Sequence, residues 1–353
     1  MRSLNASNER PAPVSRIPLA LCLAAGLVFA LLLATACDSP RAGDRPIGSV
    51  PPPPDPIEQI DPRKVAPTPA ATPQVAVGAP AEDRSRPPVG DRWALVIGLS
   101  KYQYAGQAGL TNLAYADEDA LNFSDELRRL GWRDSRIKVL TNQEATRRNI
   151  LIALESWLTK AGPNDLIVLY WSGHGFPDPD DPERVYFACY DTDITIPATG
   201  YRMDQVRQVL RERNTRNVVL LADTCHAGGL ITRSGERAIA VRPYVESLKK
   251  DQSVPKGWVF MVGADTDRLA VENSSWTNGA FTHVLIQGLR GEADGYESAG
   301  PKDGIVTMGE LRAWMQSAMP DLTHKTLGTA KHPVITTSSA DPEIWNLTLQ
   351  SSK

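Results

Sequence analysis

The sequence predicts an α/β domain built on a mostly parallel sheet of about six strands, with helices covering both faces. Three observations carry this expectation. From Arg92 onward, short apolar runs alternate with segments of helical spacing, the order expected of parallel strands joined by crossover helices. Several of the runs, such as WALVIGL, are apolar throughout, as befits a buried strand. Two of them lead directly into glycine-flanked sequences that hold a histidine and a cysteine.

Taken in order, Trp93–Leu99 is the first strand. Leu113–Leu130 carries Leu113, Ala116, Ala120, Phe123 and Leu127 on one helical stripe, with Gly131 as the stop. Ile137–Leu140 is a second strand, and Asn149–Lys160 a helix ended by Gly162-Pro163. Leu166–Trp171 and Val218–Ala222 are the third and fourth strands, separated by a helix from Met203 to about Arg213. Trp258–Val262 is a fifth strand and Ala280–Leu289 a helix. Thr307 and Glu310 form a capping box for a helix running to Met319, and Val334–Thr337 is a last strand.

The part before Arg92 has a different character. Arg2, Arg10 and Arg16 precede an uncharged run, Ile17–Ala36, about the length needed to cross a hydrocarbon core. It ends in Leu33-Ala34-Thr35-Ala36-Cys37, which resembles a bacterial lipobox and so implies lipidation of Cys37, although Ala34 stands where that pattern has leucine. The alternative is an uncleaved signal anchor. Both place the remainder outside the cytoplasm, at the membrane of a bacterial envelope. Residues 38–91 are rich in proline, alanine and aspartate, and read as an extended tether. The expected organisation is therefore 1–37 as signal or anchor, 38–91 as tether and 92–349 as the folded domain.

With 42% hydrophobic and 22% charged residues and a net charge of -3, the chain has no basic excess pointing to nucleic acid. Of its four cysteines, Cys22 and Cys37 belong to the N-terminal segment, so Cys189 and Cys225 make no disulfide framework. Pairing of these two would silence Cys225, whose surroundings suit a free thiolate.

The third strand runs into Ser172-Gly173-His174-Gly175, and the fourth into Asp223-Thr224-Cys225-His226-Ala227-Gly228. Reactive groups gather beyond the carboxyl ends of strands in open parallel sheets. His174 and Cys225 lie about 50 residues apart, room for a β-hairpin and a helix before a return to the neighbouring strand. A thiolate attacking a carbonyl needs an imidazole to protonate the leaving amine. Backbone N–H groups of Gly175 and Cys225 are candidates for the oxyanion hole. No Asp or Asn stands out to orient the imidazole, a role that a backbone carbonyl could serve.

These paired motifs resemble those of the caspase-like cysteine peptidases, and within them the metacaspase branch, over roughly Arg92 to Ser339. True caspases have Gln-Ala before the cysteine, where this chain has Asp223-Thr224. The resemblance implies a three-layer caspase–haemoglobinase sandwich and an endopeptidase with large (92–230) and small (257–349) segments. The joining loop, 231–256, offers Arg233, Arg237, Arg242, Lys249, Lys250 and Lys256 for self-cleavage or is simply solvated. In caspases an arginine that reads aspartate precedes the first helix, and here that position holds Leu113. In metacaspases acids line the primary pocket, so the resemblance assigns Asp119, Asp223 and Ser172 to a substrate arginine or lysine. The implied partners are polypeptides with basic residues. No cofactor is required by the sequence; calcium enters only because some metacaspases need it. A non-catalytic caspase-homology binding module, and an asparaginyl- or gingipain-like thiol hydrolase, are the competing functions.

The remaining histidines, Cys189 and the Asp178–Asp181 stretch have bland readings. His226 follows the nucleophile and should point away from it. His283 reads as a packed core residue, and His324 and His332 lack metal-ligand spacing. Cys189 reads as a buried strand thiol. Asp178, Asp180 and Asp181 lack the spacing and turn glycine of an EF-hand loop and read as solvated.

Overall fold

The computed structural model describes residues 89–181, 184–226, 256–263, 272–273, 278–337 and 341–351. The side chains of Cys225, His226, Glu272 and Asn273 are outside that description, as are the apolar run with Cys37, most of the tether, and nearly all of the 231–256 loop. Among the described residues, no helix is long and apolar enough to cross a membrane.

The strands are β1 (Arg92–Gly98), β2 (Ile137–Thr141), β3 (Leu166–Pro177), β4 (Val185–Phe187), β5 (Tyr201–Arg202), β6 (Asn217–His226), β7 (Trp258–Val262), β8 (Glu272–Asn273), β9 (Asn278–Gly279) and β10 (Val334–Thr337). The helices are α1 (Ala116–Arg129), α2 (Arg147–Ile152), α3 (Met203–Arg211), α4 (Ala280–Gln287) and α5 (Met308–Leu327). The main sheet runs β10-β7-β6-β3-β1-β2, with β4 and β5 attached at the side of β3. Its central pairings are parallel, while β10 joins β7, β4 joins β3 and β5 joins β4 antiparallel. The expected sheet is therefore present, and the small β4–β5 hairpin occupies the interval between β3 and β6.

Side-chain alternation along β1 divides the core into two layers. Trp93, Leu95 and Ile97 pack with Ile150 and Leu154 of the α2 segment and with Val206 and Leu210 of α3. Ala94 and Val96 pack with Phe123 and Leu127 of α1, Phe281 and Leu285 of α4, and Leu311 and Met315 of α5. The result is a three-layer sandwich. The chain leaves β1 for β2 on one side and returns to β3 on the other, so the connections diverge between β1 and β3, the position where open sheets form their ligand crevice.

Gly98 sets the closeness of β1 to α1. A Cβ there would overlap the Ala116 carbonyl oxygen and stand 2.5 Å from the Ala120 Cβ. Gly98→Ala is expected to cost about 1–3 kcal/mol through overpacking, seen as a lower midpoint in thermal denaturation. An unchanged midpoint would show that α1 can withdraw freely.

Some boundaries differ from expectation. Leu113 is not in α1; its N–H donates to the Ser100 carbonyl at 2.9 Å, so the approach to the helix is a fastened loop. The last helix continues past Met319 through Pro320 and ends only where Gly328 turns left-handed at φ 69°. Its capping box, Thr307 with Glu310, is as expected. The helix from Met203 ends at Arg211 rather than about Arg213. Val89–Asp91, assigned to the tether, are held by the domain: Gly90 N donates to Asn164 O at 2.9 Å, and Asp91 N to Asp165 Oδ1 at 2.8 Å.

Candidate active site

β1 accompanies β3 only as far as the rung Gly98–Ser172, and β7 accompanies β6 only to Val262–Ala222. Beyond those rungs β3 and β6 continue together, pairing Ser172 with Asp223, Gly173 with Thr224, His174 with Cys225 and Gly175 with His226. The sequence reading ended both strands before these motifs. Instead each strand serves as the other's ladder partner, and β4 supports the far side of β3 from Gly175 to Pro177. His174 and Cys225 are thus backbone neighbours on one rung, at the spacing of adjacent strands, about 4.8 Å.

His174 is fully buried. Its Nε2 lies 2.8 Å from the Thr111 carbonyl oxygen. A carbonyl can only accept, so Nε2 carries the proton and Nδ1 presents its lone pair. That Nδ1 is buried and has no hydrogen-bond partner among the described residues. Burial drives the imidazole down to about 4, with the bond to Thr111 opposing the shift. The side chain is therefore a neutral base at pH 7, and the carbonyl that fixes its tautomer also favours the imidazolium once a proton arrives. Its backbone N–H donates to the Tyr102 hydroxyl at 2.9 Å.

One turn of chemistry away, Asp119, Ser172 and Asp223 come together. Asp119, in the first turn of α1, is 2% exposed rather than solvated. Its Oδ1 accepts from Asn278 Nδ2 and Gly279 N, both at 2.9 Å, and its Oδ2 accepts from Ser172 Oγ at 2.9 Å. Asp223 Oδ2 accepts from Thr282 Oγ1 at 2.8 Å and Thr282 N at 3.2 Å. Below them the Tyr170 hydroxyl meets Thr282 Oγ1 at 2.6 Å. Gly279 permits the gathering, because a Cβ there would overlap Asp223 Oδ2 and reach within 3.1 Å of Asp119 Oδ2. Burial, and then the Asp223 charge, hold the Asp119 carboxyl well above the usual range against its three hydrogen bonds. Two neighbouring buried acids each make the other's charge costlier, a cost that a positive group brought beside them would relieve.

Thr111, Tyr102, Asn278, Gly279 and Thr282 were not found from the sequence. Thr111 acts through its main chain, which no side-chain pattern reveals. The only hint of the others was the Asn-Gly pair opening an otherwise apolar helix. Gly175 lies in strand, opposite Phe187 on one side and His226 on the other.

The remaining candidates fall outside this cluster. His283 is half-buried rather than core, because α4 turns that position partly outward, and burial lowers its pKa. His324 and His332 are exposed. Cys189 is a free, buried thiol two residues beyond β4, its pKa raised by burial. Asp178 is buried, not solvated, since Arg184 at 3.2 Å and the Tyr186 hydroxyl at 3.3 Å take its carboxylate. Arg184 also binds Asp181 at 3.0 Å. A donor set already neutralised by an arginine does not fit calcium. Among the described residues, no group of three or more His, Cys, Asp or Glu could hold a metal.

Comparison with known proteins agrees with this architecture. Metacaspase-1B of Aspergillus fumigatus is 33% identical over 154 residues, covering 39% of this chain and 36% of the relative. Metacaspase-1 of Candida albicans is 27% identical over 161 residues, 40% of this chain and 34% of the relative. The chain spans about a third of the length of these curated relatives. The crystal structure of protein GSU0716 from Geobacter sulfurreducens shares the fold, with a TM-score of 0.50 at 18% identity, covering 73% of this chain and 98% of that one. A family model described as Peptidase_C14, caspase domain, matches residues 91–322, and with both strand-borne motifs inside that span the chain belongs to the caspase-domain family.

Proposed function

We propose that the protein is a cysteine endopeptidase that cuts polypeptides after arginine or lysine. The observation that carries the reading is the shared rung of His174 and Cys225, with a buried histidine Nδ1 that has no hydrogen-bond partner among the described residues. In this mechanism Nδ1 takes the Cys225 thiol proton and the sulfur attacks the carbonyl carbon. The N–H groups of Gly175 and Cys225 hold the resulting oxyanion. The imidazolium then gives its proton to the leaving amine as the C–N bond breaks, leaving a thioester. Water attacks the thioester, His174 takes the proton from that water, and the acid product leaves with the thiol restored. Asp119 and Asp223, with Ser172, receive the basic side chain. The N-terminal run holds this domain outside the cytoplasm, through lipid on Cys37 or as an intact helix.

The test compares the wild type with Cys225→Ala on fluorogenic peptides ending in Arg, Lys, Asp or Asn, with and without calcium. Turnover of the Arg and Lys peptides, abolished by Cys225→Ala, is the expected result. Silence on all four would favour a binding module, and cleavage after Asp would overturn the pocket assignment alone.

A further inference from the structure

We infer that Tyr102 is a positioning residue for His174, holding both the histidine backbone and the loop that orients its ring. The inference rests on the proposed peptidase reading.

Leu99 N donates to Ser172 O at 3.0 Å, the last main-chain bond from the segment following β1. Backbone groups alternate along a strand, so the N–H two residues on, at His174, faces the same side. There the chain has turned away into the Ser100–Tyr115 loop, and a buried N–H left unpaired is something folds avoid. The Tyr102 hydroxyl takes that place, accepting from His174 N at 2.9 Å. Ala188 N donates to His174 O at 2.9 Å, so both backbone groups of the histidine are fixed without β1. The tyrosine ring also lies against the imidazole, with centroids 5.2 Å apart and planes inclined at 32°.

The main chain of Tyr102 completes the link. Its N–H donates to Asn112 Oδ1 at 3.1 Å, and the preceding residue, Thr111, supplies the carbonyl for Nε2. One side chain therefore sets the height of His174 in the strand. Its own backbone is tied beside the group that sets the ring's rotation. A shift in either would misdirect Nδ1, and chemistry is sensitive to displacements of about 1 Å. Ser172, Asn278, Gly279 and Thr282 donate to Asp119 and Asp223, whereas Tyr102 acts on His174, so its effect should fall on turnover rather than on binding of the basic side chain.

Tyr102→Phe keeps the ring and removes the acceptor. On the full chain with an arginine peptide, kcat should fall roughly 10-fold or more, with KM within about twofold of wild type. Alkylation of Cys225 by iodoacetamide, followed by mass of the Cys225 peptide across pH, should slow at neutral pH. Thr323→Val serves as the structural control. It deletes a buried hydroxyl that bonds Met319 O at 2.9 Å and accepts from Lys331 N at 2.8 Å, in α5. Wild-type kcat in Tyr102→Phe, a change in KM alone, or an equal kcat loss in Thr323→Val at matched Tm would overturn the assignment. If wild type cleaves no peptide, the peptidase reading fails by itself. The alkylation profile then still decides, since an unaltered profile in Tyr102→Phe would sink the positioning role.

Discussion

Replacing His174 by glutamine is expected to lower kcat on arginine peptides by about 10²–10⁴-fold, with KM little changed. Glutamine can still donate an N–H towards the Thr111 carbonyl, but it has no basic nitrogen to take the thiol proton. Steady-state kinetics check this directly, and a loss below tenfold would show that another group acts as base. The same substitution has a signature in stability. Burial holds the folded imidazole at about 4, against the Thr111 bond that raises it, whereas an unfolded histidine titrates near 6.5. As pH falls from about 6.5 towards 4, the unfolded chain binds a proton that the folded chain refuses, so native stability declines over that window. His174→Gln should lose this part of the decline. Parallel stability–pH curves for the two proteins would mean that the imidazole is less enclosed than its contacts indicate.

The second large effect is expected at Asp119. Asp119→Asn should reduce kcat/KM for arginine and lysine peptides by about 10²-fold, the scale of a buried charge-assisted contact of 2–5 kcal/mol. The fold should not suffer, because asparagine retains an oxygen for Asn278 and Gly279. Here the sign of the linkage is opposite to that of the histidine. Burial and the Asp223 charge raise the folded carboxyl, so the folded state keeps its proton longer than the unfolded one. The stability contributed by that proton is present at acid pH and is lost as pH rises through the raised value. Asp119→Asn removes the loss, and thermal melts at alkaline pH should find the variant at least as stable as wild type. Substrate binding works in the reverse direction, since a cation favours the ionised acid. KM for basic peptides should therefore rise as pH falls. A KM independent of pH, with wild-type kcat/KM in Asp119→Asn, would remove the acid from the pocket.

Much of this was legible in the sequence, for identifiable reasons. Strands such as Trp258–Val262 and Val334–Thr337 agree with their apolar runs to the residue, because long-range pairing and local pattern favour the same state. The capping box at Thr307 was visible because it is a local hydrogen-bond exchange. Failures occurred where the cause was distant. Glycines around His174 spoke against continued strand, yet β6 and β4 supply ladder partners that no local window contains. Ser172, Asp119 and Asp223 were named through resemblance, whereas Asn278 and Thr282, which hold the two acids, have ordinary surroundings in sequence. Tyr102 and Thr111 were missed because one acts on a main-chain N–H and the other through a main-chain oxygen.

β6 closes the segment before the basic loop and β7 opens the segment after it, and the two lie side by side in the middle of the sheet, Val218 against Trp258 through Ala222 against Val262. Asp119 and Asn278 likewise face each other from opposite sides of that loop. Covalent continuity at the loop is therefore redundant for cohesion. A cut there would yield two polypeptides on a denaturing gel and one particle in solution, since parting them would open the central ladder and strip two buried acids of the donors that Asn278, Gly279 and Thr282 supply.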